Sequence, residues 1–228
     1  MANILELNNI NKIYGDKIKT QVLFDLNLSF EESSFNSIIG ASGSGKSTLM
    51  NIMGTLDKPT SGEVIIDGLS TANMNKNQLA ELRNETIGFI FQFHYLLPEF
   101  TVFENVMMPF LIKNGRDTKE AIQRANDLIE IVGLTKVRNN KATDISGGQQ
   151  QRAAIARALI NNPRIILGDE PTGNLDSEST ETVYNLLKEI NREFKSTFIV
   201  ITHDKKVAEK ADRILEITDG KISMDIRA

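Results

Sequence analysis

Cysteine is absent from all 228 residues, which excludes a disulfide framework, a thiolate metal site and a cysteine nucleophile. That composition fits a reducing compartment without requiring one. Long apolar runs are also missing. The longest, Val106–Ile112, is interrupted by Pro109, whereas a membrane-spanning helix needs about 20 apolar residues. The opening residues Met1-Ala2-Asn3-Ile4-Leu5-Glu6 lack the basic-then-apolar order of a signal peptide. A soluble chain is expected, one that works at a membrane only by docking on something else. An excess of basic charge is lacking too: 26 Lys and Arg stand against 30 Asp and Glu, a net of −4. This argues against a protein that coats nucleic acid. The hydrophobic fraction of 40% and charged fraction of 25% are those of an ordinary globular chain, long enough for one large domain or two lobes around a sizeable core.

Residues 3–14 and 19–30 are rich in Ile, Leu, Val and Phe with partial alternation, and Gly15-Asp16 separates them, which predicts two antiparallel strands. Phe35–Ile39 is a short apolar run ending at Gly40, and from Lys46 the residues Leu49, Ile52 and Met53 fall at helical spacing. Further strands are expected over 63–67, 87–91, 164–168, 197–202 and 213–218, the last ending at the Asp219-Gly220 turn. Helices are expected over 118–132, after an Asp176 or Ser177 cap, and over 204–211. Strands alternating with helices predict an α/β fold with a mostly parallel sheet. The segment from about 93 to 160 has no convincing strand and reads as an inserted helical lobe, leaving 1–92 and 161–228 as the core.

Three motifs carry chemistry. Gly40-Ala41-Ser42-Gly43-Ser44-Gly45-Lys46-Ser47-Thr48 fits the phosphate-binding loop, with the required strand before it and helix after it. Its glycines let backbone N–H groups point inward, the following helix adds its dipole, Lys46 can reach β and γ phosphates, and the Ser47 hydroxyl can ligate Mg²⁺. Ile165-Ile166-Leu167-Gly168-Asp169-Glu170 is an apolar strand delivering acidic residues at its end, a Walker B element. Asp169 would hold Mg²⁺ and Glu170 would polarise the attacking water as general base. Ile145-Ser146-Gly147-Gly148-Gln149 opens another helix, with Ser146 and two glycines able to present donors to a γ-phosphate.

This third motif resembles the signature sequence of the ATP-binding cassette ATPases, with Ile145 where Leu is usual. The resemblance spans essentially the whole chain. It implies an α/β P-loop NTPase with a RecA-like mixed-sheet core, an antiparallel β subdomain and an inserted helical subdomain within one domain, 1–228. It also implies roles for residues that are uninformative alone. Asp176, closing Pro171-Thr172-Gly173-Asn174-Leu175-Asp176, matches the acidic residue of the D-loop. His203 matches the switch histidine that contacts the γ-phosphate, Gln92 the Q-loop glutamine near Mg²⁺ and water, and Tyr14 the aromatic residue that stacks on adenine. Gly168 stands where Ala is frequent before the acidic residue, and Phe35-Asn36-Ser37 lacks a frequent Gly-Glu, but no catalytic group is missing. The resemblance implies an active ATPase using ATP and Mg²⁺. Two copies would pack head to tail, trapping ATP between the phosphate-binding loop of one and Ser146-Gly147-Gly148-Gln149 of the other.

Only about 98 residues separate Ser47 from Ser146 and no heptad run lies between them, unlike chromosome and repair members of the superfamily. One cassette is present, unlike translation factors, and nothing resembling the regulatory domain of many importer ATPases follows Gly220. Phe91-Gln92-Phe93-His94-Tyr95-Leu96-Leu97-Pro98-Glu99-Phe100-Thr101 with Glu104-Asn105-Val106 closely resembles the ATPase subunits of bacterial lipoprotein-releasing transporters. That implies a subunit held at the cytoplasmic face of the bacterial inner membrane by two permease subunits, the same or different, with no nucleic-acid partner. The wider group includes macrolide and antimicrobial-peptide exporters and a cell-division ATPase that regulates wall hydrolysis, which stand as the alternative functions. Within the run 92–104, about half of the apolar side chains are expected to fill the lobe's core and the rest to meet a cytoplasmic helix of the permease.

Overall fold

The computed structural model describes residues 2–227. The chain begins with two long strands, β1 (Asn3–Tyr14) and β2 (Thr20–Glu31), paired antiparallel from Asn3↔Glu31 to Tyr14↔Thr20. Alternation, reset by register shifts near Asn9 and Asp25, turns Leu5, Leu7, Ile10, Leu23, Leu26 and Phe30 inward. There follow β3 (Phe35–Ile39) and α1 (Lys46–Met53), then β4 (Ser61–Ile66), β5 (Leu69–Ser70), α2 (Lys76–Thr86) and β6 (Ile87–Phe91). Three helices come next: α3 (Val102–Asn114), α4 (Lys119–Ile131) and α5 (Gly147–Leu159). The chain closes with β7 (Ile165–Asp169), α6 (Ser177–Phe194), β8 (Thr197–Ile201), α7 (Lys205–Ala208), β9 (Arg213–Thr218) and β10 (Lys221–Arg227).

Among the described residues these strands form two sheets. One is antiparallel, in the order β2-β1-β4-β5; the other has the order β10-β9-β3-β8-β7-β6 and is parallel apart from β10. β3 and β8 are buried along their whole length, because both faces of this sheet are covered; β8 is almost wholly apolar, whereas β3 buries Asn36 and Ser37 among its apolar residues. Successive residues of β7 and β8 divide between two cores. Ile166, Phe198 and Val200 face α3–α6, while Ile165, Leu167, Ile199 and Ile201 face α1 and the antiparallel sheet.

Residues 93–160 carry no strand beyond an isolated bridge, Thr101↔Lys141. α3 and α5 each start with a reciprocal capping box, Thr101 with Glu104 and Ser146 with Gln149, and Thr118 caps α4. Val106, Ala125, Leu128, Ala153 and Ala156 share one apolar cluster with Ile90 and Ile166 of the parallel sheet. Several elements depart from expectation: β5 was not foreseen, and α7 is a single turn, Lys205–Ala208, where a helix over 204–211 was expected. β10 follows the Asp219-Gly220 turn, so 213–218 is not the final strand; as an edge strand its side chains stay half-buried or exposed. α2 was not expected. Only Leu79, Leu82 and Thr86 of this polar segment are buried, although Asn75 and Gln78 form a capping box that marks its start. No helix among the described residues is long and apolar enough to cross a membrane.

Parallel pairing sets the site. Phe91 lies opposite Asp169, Asp169 opposite Ile201, and Ile201 opposite Ile38. The loops leaving β3, β6, β7 and β8 therefore emerge at one edge, where open α/β sheets place their ligands.

Candidate functional site

Gly40 to Gly45 turn the chain from β3 into α1. A Cβ on Gly40 would lie 2.3 Å from the Ile217 carbonyl oxygen, and one on Gly45, at φ 107°, would lie 2.8 Å from Leu23 Cδ2. Only glycine fits both places. α1 has no side-chain cap at Gly45, so its first N–H groups are not taken up by one. Lys46 folds back over the loop, its Nζ donating to the carbonyls of Gly40 (2.9 Å) and Ala41 (2.8 Å). Ser44 Oγ is buried without a partner.

The loop opens on a cleft of about 550 Å³ lined by Gly40, Ser42, Gly43, Gly45, Lys46, Ser47 and Thr48, and across from them by Gln92, Asp169, Glu170 and His203. The structure thus brings together residues from four strand ends that sequence reading singled out separately. Burial, and then the neighbouring charge of Glu170, push the Asp169 carboxyl above the usual range, against the opposing pull of Lys46. Glu170 adopts a left-handed backbone, φ 46°, with its N–H donating to the Ile201 carbonyl at 2.9 Å. Its Oε2 lies 2.9 Å from His203 Nδ1 and accepts from the His203 N–H at 3.3 Å. The carboxylate is 17% exposed and the imidazole 71%.

Gln92 is held from the chain after Walker B. Its Nε2 donates to Asn174 Oδ1 at 3.0 Å, and Asn174 Nδ2 donates back to the Gln92 carbonyl at 3.2 Å. A Cβ on Gly173 would lie 2.8 Å from Gln92 Nε2, so that glycine permits the approach. The sequence displayed Asn174 but gave no sign of this pairing, which exists only because two loops converge.

Tyr14 does not line the cleft. It stands at the end of β1, its hydroxyl donating to Asp57 Oδ2 at 2.8 Å. Lys12 Nζ bonds Asp57 Oδ1 at 2.7 Å and the Lys58 carbonyl at 2.6 Å, and sits 4.7 Å from the centre of the Tyr14 ring. Burial and the carboxylate of Asp57 raise the Tyr14 phenol, opposed by the adjacent Thr48 side chain. Burial of Asp57 acts against its charged form, but the bonds from Lys12 and Tyr14 outweigh it and hold the carboxyl below its usual value. Lys12 and Asp57 were missed in the sequence, where only their residue types are visible.

Ser146, Gly147, Gly148 and Gln149 are not part of this cleft. Ser146 Oγ accepts from the Gln149 N–H at 3.3 Å, and Gln149 Oε1 from the Ser146 N–H at 2.9 Å. A Cβ on Gly147 would meet nothing within 4 Å; one on Gly148 would lie 3.6 Å from Ser179 Oγ. Asp176 caps α6 through that same Ser179, accepting from its N–H at 2.8 Å and its hydroxyl at 2.9 Å, and these bonds hold the Asp176 carboxyl below its usual value. The starts of α5 and α6 therefore gather at a second place, away from the phosphate-binding loop.

The family description "ABC transporter" matches residues 23–173. The chain belongs to that family. It is 48% identical over 225 residues to the lipoprotein-releasing system ATP-binding protein LolD 1 of Rhodopseudomonas palustris, covering 98% of this chain and 100% of that protein. It is 50% identical to LolD 1 of Chlorobium chlorochromatii, covering 97% and 91%. Among solved structures, the dimeric post-hydrolysis state of the ATP-binding cassette MJ0796 bound to ADP and Pi superposes with a TM-score of 0.89 at 43% identity, over 98% of each chain. CbiO1 of Clostridium perfringens, part of a transporter complex, superposes equally well at 26% identity, over 100% of this chain and 89% of that one. An ABC ATPase that binds nucleotide follows from the family.

Proposed function

We propose that this chain is the ATP-hydrolysing subunit of a bacterial transporter that releases lipoproteins from the inner membrane, and that two copies close head to tail around two ATP molecules. The observation that carries the reading is the separation of the two phosphate-facing helix starts. The cleft at α1 gathers the phosphate-binding loop with Gln92, Asp169, Glu170 and His203, while the start of α5 lies outside that cleft and a Cβ on its Gly147 would meet nothing within 4 Å. A second copy supplies the missing half. The likeness to a dimeric cassette bound to ADP and Pi supports this arrangement, and relatives at 48–50% identity support the lipoprotein-releasing role.

Within that site the loop amides from Gly40 to Thr48 and Lys46 Nζ bind the phosphates, in place of the two carbonyls Lys46 now contacts. Glu170 takes the proton of the attacking water as Gln92 orients it, and His203 bonds the γ-phosphate while its Nδ1 partner, Glu170, fixes the ring. Ser146, Gly147, Gly148 and Gln149 of the second copy donate to the same phosphate from the opposite side, and Asp176 braces that approach. Tyr14 stacks on the adenine, its ring set by Asp57 and Lys12. The donor set also fits Mg²⁺. Among the described residues no group of three His, Cys, Asp or Glu gathers to hold a metal, and Asp169, its carboxyl burdened by burial and by Glu170, lines one cleft with the Ser47 hydroxyl. One carboxylate, one hydroxyl and phosphate oxygens are the ligands Mg²⁺ takes in nucleotide sites, with Gln92 at the edge of its shell. When bound it would neutralise charge developing on the phosphates.

The permease docks beside the same edge. A groove of about 360 Å³ between α2, β6, α3 and α5 is lined by Leu56, Phe89, Phe91 and Pro109; in the loop that follows β6, Phe93, Tyr95, Leu97 and Phe100 stand exposed, with the Tyr95 ring edge-on to Phe91. Leu96 and Phe103 of the same run pack on the helical core instead. Co-expression of the chain with its neighbouring membrane protein, purification and reconstitution test the reading. ATP-dependent release of an acylated lipoprotein from the vesicles is expected, and is lost with Glu170→Gln. ATP-driven movement of a macrolide or peptide, with no lipoprotein release, would overturn it.

A further inference from the structure

The segment after Gln92 holds a backbone conformation that the hydrolysis chemistry does not use. His94 (φ 59°) and Tyr95 (φ 48°) are consecutive non-glycine residues in the left-handed region. Such residues persist there only when their surroundings over-determine them. Part of the support is local, since the His94 N–H donates to the Phe91 carbonyl at 3.2 Å and the Tyr95 ring meets Phe91 edge-on; the rest comes from one helix. Arg157 of α5 reaches back with both ends of its guanidinium, Nη1 donating to the Tyr95 carbonyl at 2.5 Å and Nη2 to the His94 carbonyl at 2.6 Å. A planar fork spans two adjacent carbonyls in a way that an ammonium cannot. Among the described residues Arg157 has no carboxylate partner, so these carbonyl dipoles are what its charge meets; burial lowers its affinity for the proton.

A turn and a half closer to the start of α5, Gln151 Oε1 bonds His94 Nδ1. Gln151 is fully buried and its Nε2 has no partner, so the side chain is committed to this contact. Burial, and to a lesser degree the charge of Arg157, lower the His94 pKa against the opposing bond from Gln151. On its other side the segment is tied through Gln92 to Asn174.

We propose that Arg157, aided by Gln151, is a positioning residue: it holds the left-handed His94–Tyr95 turn and so locks the helix that begins at Ser146 to the loop that carries Gln92. The inference rests on the head-to-tail reading above. α5 is a single helix from Gly147 to Leu159, so anchoring it at positions 151 and 157 fixes the direction of its first turn, where Ser146 and Gln149 meet the second copy's nucleotide. With the turn relaxed, that first turn is no longer registered to Gln92, and closure of the two copies becomes harder while nucleotide binding within one copy is untouched.

The test uses the full chain carrying Glu170→Gln, so that ATP is bound and not consumed, and reads two quantities: ATP affinity of the dilute monomer by calorimetry, and dimer dissociation by light scattering with Mg-ATP. Adding Arg157→Lys is expected to leave monomer affinity within about twofold and to weaken the dimer roughly tenfold, the scale of one lost left-handed residue. Adding Tyr95→Gly to that chain is expected to recover most of the loss, because glycine takes positive φ without cost. A packing role for Arg157 predicts no such recovery. If Arg157→Lys melts several degrees below its parent, the pair Gln151→Leu and His94→Gly makes the same comparison with an apolar residue of similar size in the core. An undisturbed dimer, or one that glycine does not recover, would overturn the proposal while leaving the head-to-tail reading in place. A Glu170→Gln parent that never dimerises would overturn both.

Discussion

Two helix starts, α1 and α5, are built from glycine-rich turns yet end up in opposite circumstances. At α1 the cap is Gly45, which offers no side chain, and the neighbouring strand ends bring Asp169, Glu170, Gln92 and His203 into the same cleft. At α5 the cap is Ser146, its box with Gln149 is complete, and a Cβ on Gly147 would meet nothing. On the proposed reading, the difference teaches that one chain carries two unlike halves of a phosphate site, one gathered around the α1 cleft and one at the start of α5. A helix start whose N–H groups are left without a side-chain cap is arranged for a ligand already within reach. A start that is self-capped and open to solvent is stable by itself and waits for a second surface.

Variants separate the two ends. The largest effect is expected from Glu170→Gln, which leaves both helix starts intact and removes the carboxylate proposed to take the proton, one that also faces His203. Turnover should fall by at least about 100-fold while ATP affinity stays near that of the parent. Near-normal turnover in a phosphate-release assay would remove Glu170 from the mechanism. Next in size is Lys46→Ala, which damages the α1 end alone. Loss of a charge-assisted contact to the phosphates should weaken ATP binding about 10- to 100-fold in calorimetry. Unchanged affinity would mean that the loop does not hold the triphosphate.

The α5 end should respond differently. Ser146→Ala removes a cap, so a loss of about 1 kcal/mol in stability is expected by denaturant melting, with ATP affinity of the monomer unaltered. A monomer affinity that drops with Ser146 would place that residue in its own chain's cleft and erase the contrast. Among the changes that weaken ATP binding, the smallest is at the base. Tyr14→Ala should weaken ATP binding about tenfold through lost stacking, and Tyr14→Phe, which keeps the ring but frees it from Asp57, only about two- to threefold. Equal losses for both would show that the hydroxyl matters for itself and not as an anchor.

Legibility in the sequence followed burial. The alternation of β1 and β2 and the apolar runs of β3, β7 and β8 were readable because burial on one face or two writes itself into residue type. α2 was not, since a helix that buries only Leu79, Leu82 and Thr86 leaves little periodic signal. β10 was missed because an edge strand needs no strong pattern to pair. The loop residues at the cleft were readable as motifs. What holds them was not: Asn174 on Gln92, Asp57 on Tyr14, and Arg157 on two carbonyls are side chains separated by 43 to 82 positions from their partners, and only the folded chain makes them neighbours.

The division of labour between the two helix starts is tested most directly by the mass of Glu170→Gln in sedimentation equilibrium, with Mg-ATP and without it, compared with the same chain carrying Ser146→Arg. Without nucleotide both should sediment as the 25.4 kDa monomer. With Mg-ATP the first should become a dimer and the second should stay monomeric while still binding ATP. A Glu170→Gln chain that binds ATP and remains a monomer, or a dimer that tolerates arginine at position 146, would contradict a site shared between two copies.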